Sequence, residues 1–74
     1  MFSLMNIKPA ISDQIRDRRK QLGISQRDLA EIAGVSLHTL SDLESGRGNP
    51  TVATLQRVLA PLGLVLSVHV RDIG

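Results

Sequence analysis

No cysteine occurs in the 74-residue chain, nor any tryptophan or tyrosine, and Phe2 is its one aromatic residue. Without cysteine there is neither a disulfide staple nor a thiolate metal site, and without aromatics the core must be built from aliphatic side chains. No apolar run approaches the roughly 20 residues that span a bilayer. The opening MFSLMNIKPAIS lacks the basic segment and uninterrupted apolar stretch of a secretory leader. A cytoplasmic protein with no membrane partner is therefore expected. A chain of this length forms one domain with a modest core, so helix packing or association with a second copy must supply the remaining stability. Polar clusters suited to chemistry are also missing. No set of nucleophile, base and oxyanion donors can be assembled, because each serine is better explained as a cap or a surface residue. The two histidines, His38 and His69, fall on separate elements with no acid or sulfur at metal spacing. No enzyme, no cofactor and no metal are expected.

What is present is positive charge in one place. The chain carries a net charge of +2, yet residues 16–27 hold Arg16, Arg18, Arg19, Lys20 and Arg27 against Asp17 alone. The rest of the chain is therefore slightly acidic. A local cationic stripe attracts a polyanion, although a solvated helix face can look the same.

Hydrophobic periodicity organises the chain into short helices. Ile11, Ile15 and Leu22 fall on one face of a helix expected over residues 9–22, which Gly23 closes. Ser25 then caps a second helix, with Asp28 in its first turn and Ile24 placed to pack on Leu29; Leu29, Ile32 and Ala33 are expected to face inward. Gly34 ends it. Ser36 caps a third helix whose buried edge is Leu40 and Leu43 and which stops at Gly46, and Thr51 caps a fourth carrying Leu55, Val58, Leu59 and Leu62. Pro61 should loosen the last turn of that helix. From Leu64 the period becomes two, with Leu64, Leu66, Val68 and Val70 on one face, and a strand is expected there.

Two short helices, each opened by a serine and joined through a tight turn at Gly34, match the helix-turn-helix, whose second helix enters a major groove. Residues 22–63, LGISQRDLAEIAGVSLHTLSDLESGRGNPTVATLQRVLAPLG, closely resemble the Xre/Cro-type domain of bacterial and phage repressors, and the likeness extends over residues 11–63. Its motif is distributed along the chain: an arginine-rich first helix, Ser-Gln before Asp-Leu-Ala, Ala-Gly-Val-Ser at the turn, Leu-Glu-x-Gly, and Asn-Pro-Thr. The resemblance implies an all-α, lambda-repressor-like domain of four to five helices. Residues 64–74, LVLSVHVRDIG, are similar to the HipB antitoxins, whose C-terminal strand pairs across a dimer. The chain then divides into an N-terminal extension (residues 1–8), a DNA-binding domain (9–63) and a dimerisation strand (64–74). A lone strand needs a partner for its ladder, and the same strand of a second copy would bury Leu64, Leu66, Val68 and Val70.

On the third helix, a 3.6-residue wheel with Leu40 and Leu43 inward turns His38, Ser41, Asp42 and Ser45 outward, with Leu37 at the margin. Leu37 is suited to a thymine methyl, His38 to donating to a purine acceptor, and Ser41 to either role. Asp42 departs from the family, which usually has an amide, a hydroxyl or a base there; an acid only accepts, as from cytosine N4, and repels phosphate. Gln26 and Arg27 open the second helix, where free N–H groups favour a phosphate and the resemblance places a backbone clamp. Ser36, Arg47, Arg16 and Arg18 are further backbone candidates. The resemblance also implies that Arg19 pairs with Glu44 in a structural ion pair between the first and third helices. Together these readings point to a homodimeric repressor of operator DNA, bacterial and nucleoid-associated. The HipB likeness further implies an antitoxin that binds a HipA-like kinase toxin. A phage repressor, a restriction-modification controller, or an interaction module that no longer binds DNA stay open as alternatives.

Overall fold

The fold is built from short amphipathic helices that start and stop on local signals. A computed structural model describes residues 7–67, with side chains from Ile11 onward. Four α-helices follow one another, α1 (Ile7–Gln21), α2 (Gln26–Ala33), α3 (Leu37–Ser45) and α4 (Val52–Leu59), and α4 runs into a 3-10 turn, Ala60–Leu62. Among the described residues there is no strand.

The starts follow from capping. The side chains of Ser25, Ser36 and Thr51 accept from the backbone N–H of Asp28, Thr39 and Thr54, so each helix has one of its unpaired donors satisfied at the residue where extended backbone gives way to helix. α1 begins earlier than Pro9. That proline sits in the first turn, where no intrahelical N–H bond is lost. The stops follow from glycine. Gly34 takes φ +72°, a left-handed conformation that side-chain-bearing residues rarely adopt, and the Val35 N–H then reaches back to the Ala30 carbonyl at 3.0 Å. This turn lets α3 pack back on α2. Pro61 lies inside the 3-10 turn, as its missing N–H would suggest.

The core consists of Ile15, Leu29, Ala30, Ala33, Leu40, Leu43, Val58, Leu59 and Leu62, with Ile11, Ile24, Val35, Leu55 and Leu64 packed at its edge. Every helix contributes, and α3 packs on both α1 and α2, so the helix-turn-helix rests on the rest of the domain. Two expected core residues are outside it. Leu22 is 45% exposed, because α1 ends at Gln21 and the helical period no longer applies in the turn that follows. Ile32 is 61% exposed. The buried arc of α2 is centred between Leu29, Ala30 and Ala33, and a 100° step per residue puts Ile32 roughly a quarter turn from that centre, on the flank of the helix.

Beyond the 3-10 turn, residues 64–67 show no ladder pairing. A strand exists through its partner, and the described residues offer none. The burial does not alternate as expected: Leu64 is half-buried on the core, but Val65 and Leu66 are both exposed, at 89% and 36%. Val68 and Val70 lie outside the described residues.

Candidate nucleic-acid interface

The candidate surface is the outer edge of α3 together with the N-terminal ends of α2 and α3. With Leu40, Leu43 and Glu44 buried, the residues of α3 left in reach of solvent are Leu37, His38, Thr39, Ser41, Asp42 and Ser45, of which Leu37, His38 and Ser45 are exposed and Thr39, Ser41 and Asp42 half-exposed. Their side chains are not independent. Asp42 lies between two cationic or donor groups: its Oδ2 is 3.3 Å from His38 Nε2 and its Oδ1 3.7 Å from Arg47 Nε. Arg47 Nε also donates to Ser45 Oγ at 3.1 Å. The Ser45 hydroxyl in turn donates to the Ser41 carbonyl at 2.8 Å, which turns it back onto its own helix.

Behind this edge a buried polar node joins three helices. Glu44 Oε2 accepts from Arg19 Nε at 2.6 Å, and Oε1 accepts from a terminal Arg19 nitrogen at 3.0 Å and from the Gln26 amide at 3.1 Å. Arg19 also donates to the Ile24 carbonyl at 2.8 Å. The hydrogen bonds to Glu44 raise the Arg19 pKa above its already high ordinary value, against the opposing effect of desolvation and with help from the Glu44 charge. A carboxylate that is 4% exposed is costly unless its oxygens have donors, and here each has at least one. Among the described residues no buried side-chain nitrogen or oxygen lacks a partner.

The node brings together Arg19 and Glu44, and it adds Gln26. A carboxylate takes more donors than one arginine supplies, which hints from sequence at a third residue, but nothing local says which. Gln26 is therefore oriented from behind by Glu44 while it opens α2. Arg27 is exposed beside it and makes no ion pair among the described residues. The first-helix arginines divide. Arg16 pairs with Asp13 at 2.7 Å on the surface of α1. Arg18 donates through Nε to the Leu62 carbonyl at 2.9 Å and so ties α1 to the 3-10 turn. That contact joins residues 44 apart in the chain, and no sequence pattern signals it. Ser36 is occupied as the α3 cap, its hydroxyl donating to Thr39 Oγ1 at 2.9 Å.

Among the described residues no group of three His, Cys, Asp or Glu side chains is placed to hold a metal ion. None of the described helices is long and apolar enough to cross a membrane.

Comparison with known proteins agrees with this architecture. Residues 15–66 match the helix-turn-helix family model. The chain is 40% identical over 63 residues to an HTH-type transcriptional regulator of Haemophilus influenzae, covering 85% of this chain and 64% of that protein. It is 41% identical over 59 residues to one of Methanothermobacter thermautotrophicus, covering 80% of this chain and 81% of that one. Among solved structures, a transcriptional regulator of Vibrio cholerae superposes with a TM-score of 0.74 at 33% identity, over 82% of this chain and 34% of that one. The chain thus spans just under two thirds of the Haemophilus regulator and a third of the Vibrio one.

Proposed function

Because the chain belongs to the helix-turn-helix family, we propose that it is a sequence-specific repressor that binds operator DNA as a homodimer. The observation that carries this reading is α3 itself: a helix locked to α1 and α2 on its inner side by Glu44, with Leu37, His38 and Ser41 on its outer edge. A helix held in that way presents side chains to base edges in a major groove without having to order itself first. Arg27 and Arg47 flank it as phosphate contacts. Gln26 retains a second amide N–H for a phosphate while the first is held by Glu44, and the Ser36 cap, which takes the Thr39 N–H, leaves the N–H groups before it free for a second phosphate. Arg16 is a peripheral contact, and Arg18 serves chiefly to hold α1 in place.

Specificity and affinity should separate on mutation. Leu37→Ala is expected to cost about 1–3 kcal/mol on a duplex selected from a random library and to leave random duplex unaffected, whereas Arg27→Ala or Arg47→Ala should weaken both alike. Fluorescence anisotropy on the two duplexes measures this. Equal losses on both for Leu37→Ala would remove α3 as the reading element.

Dimerisation would use residues 65–70. Val65 and Leu66 are adjacent exposed apolar residues, Val65 the most exposed large apolar side chain described at 89%, and a second copy would cover them. Leu64 is different. It packs on the core and its N–H bonds to the Leu59 carbonyl, so it belongs to the helical domain. Val65→Ser with Leu66→Ser should therefore leave the helices folded but shift the protein toward monomer in sedimentation, and weaken binding to a two-half-site duplex by about 10²-fold or more through lost avidity. An unchanged dimer would place the interface on the helices. The HipB-like alternation of this segment further supports an antitoxin that also binds a HipA-like kinase toxin; co-purification with the product of an adjacent kinase gene would test that part.

A further inference from the structure

Asp42 is the residue of the outer edge whose surroundings fit direct base reading least. Both of its oxygens already face the protein's own groups, Oδ2 with His38 Nε2 at 3.3 Å and Oδ1 with Arg47 Nε at 3.7 Å. Its side chain is 30% exposed against 87% for His38, one helical turn earlier on the same face. The imidazole is therefore the more accessible of the two groups.

A neutral imidazole carries its proton on one nitrogen only, and the neighbour of each ring nitrogen decides which. A carboxylate beside Nε2 stabilises the proton there. Nδ1 is then left as a bare acceptor. We propose that Asp42 is a positioning residue that acts through His38, fixing its ring so that Nδ1 accepts from an exocyclic amino group, adenine N6 or cytosine N4, in the major groove. This rests on the DNA-binding reading above and reverses the role that the sequence suggests for His38, which was donation to a purine acceptor. In the major groove only adenine and cytosine offer such a donor, whereas guanine and thymine offer acceptors at the corresponding edge. Asp42 also explains why an acid is tolerated on a surface facing phosphates: with Arg47 on one oxygen, its charge is locally balanced.

The test is a double-mutant cycle read on base preference. Wild type, His38→Ala, Asp42→Ala, the double variant and Asp42→Asn are each titrated against the selected duplex with every base in turn at the position contacted by His38, and against random duplex. Wild type should favour adenine or cytosine there by about fivefold, the worth of one neutral hydrogen bond. His38→Ala should abolish the preference. Asp42→Ala should remove most of it and should have no further effect in the His38→Ala background. Asp42→Asn should restore most of it, because the amide oxygen offers Nε2–H a negative partial charge from the same place. In the free protein, nitrogen-15 NMR of the imidazole should show the Nε2–H form in wild type and a mixture in Asp42→Ala.

Three results would overturn the assignment: a wild-type preference for guanine, an Nδ1–H form in wild type, or an effect of Asp42→Ala that persists undiminished without His38. The last would mean that Asp42 meets a base itself. Failure of wild type to bind any duplex would remove the DNA-binding reading and this assignment together, and it differs from the other outcomes because random-duplex binding is measured in the same titrations.

Discussion

Replacing Arg19 with alanine is expected to destabilise the domain by about 3–5 kcal/mol, the usual cost of stranding one member of a buried ion pair. Glu44 is 4% exposed and would be left with the Gln26 amide as its remaining partner from the node, while the Ile24 carbonyl would lose its donor. For a chain of this size the whole folding free energy is about 4–11 kcal/mol, so the variant should be largely unfolded well below the wild-type midpoint. Urea unfolding at unchanged m-value reads the effect directly. Arg16→Ala is the control: its pair with Asp13 is surface-exposed on both sides, and such pairs contribute about 1 kcal/mol or less. Arg19→Met with Glu44→Leu should recover most of the loss, since the cost comes from an unpaired buried charge more than from the absence of the pair. A stable Arg19→Ala protein with only a DNA-binding defect would instead make Arg19 a phosphate contact.

The features legible in the sequence are those that act over one turn of chain. Ser25, Ser36 and Thr51 cap α2, α3 and α4 because a side-chain oxygen reaches an N–H three residues away, and the residue type alone announces it. Gly34 and Pro61 mark a left-handed stop and a 3-10 ending for equally local reasons. Periodicity was less sufficient. It named the inner face of α1 through Ile11 and Ile15, but Leu22 fell beyond the helix end, and in eight-residue α2 the inner arc rotated away from Ile32. The grouping of Arg19 with Glu44 came through family resemblance. The third member of that node, Gln26, and the tie from Arg18 to the Leu62 carbonyl link residues 18 and 44 apart, which no local pattern encodes. Residues 64–70 show the opposite limit. Their alternation is plain in sequence, yet a strand depends on hydrogen-bonding partners, and the described residues supply none to residues 64–67.

Asp42 illustrates how structure changes a residue's chemistry without changing its position. Read alone, a carboxylate on the outer edge of α3 is an acceptor facing DNA. Placed between His38 and Arg47 it becomes a group that orients and balances its neighbours. The same holds for Gln26, which opens α2 by location and is part of the buried node by contact.

The central claim is that α3, flanked by Arg27 and Arg47, docks on duplex DNA in two copies. The most direct test is the affinity for a selected duplex as a function of salt. Four to six phosphates neutralised by the arginines of a dimer, two or three from each copy, give a log-log slope of about −3.6 to −5.4, which is a loss of about 10²- to 10³-fold between 50 and 200 mM salt. A slope in that range, reduced by about 2 when Arg47→Ala removes one contact from each copy, is the predicted result. A slope near zero, or one unchanged by Arg27→Ala and Arg47→Ala together, would contradict the account.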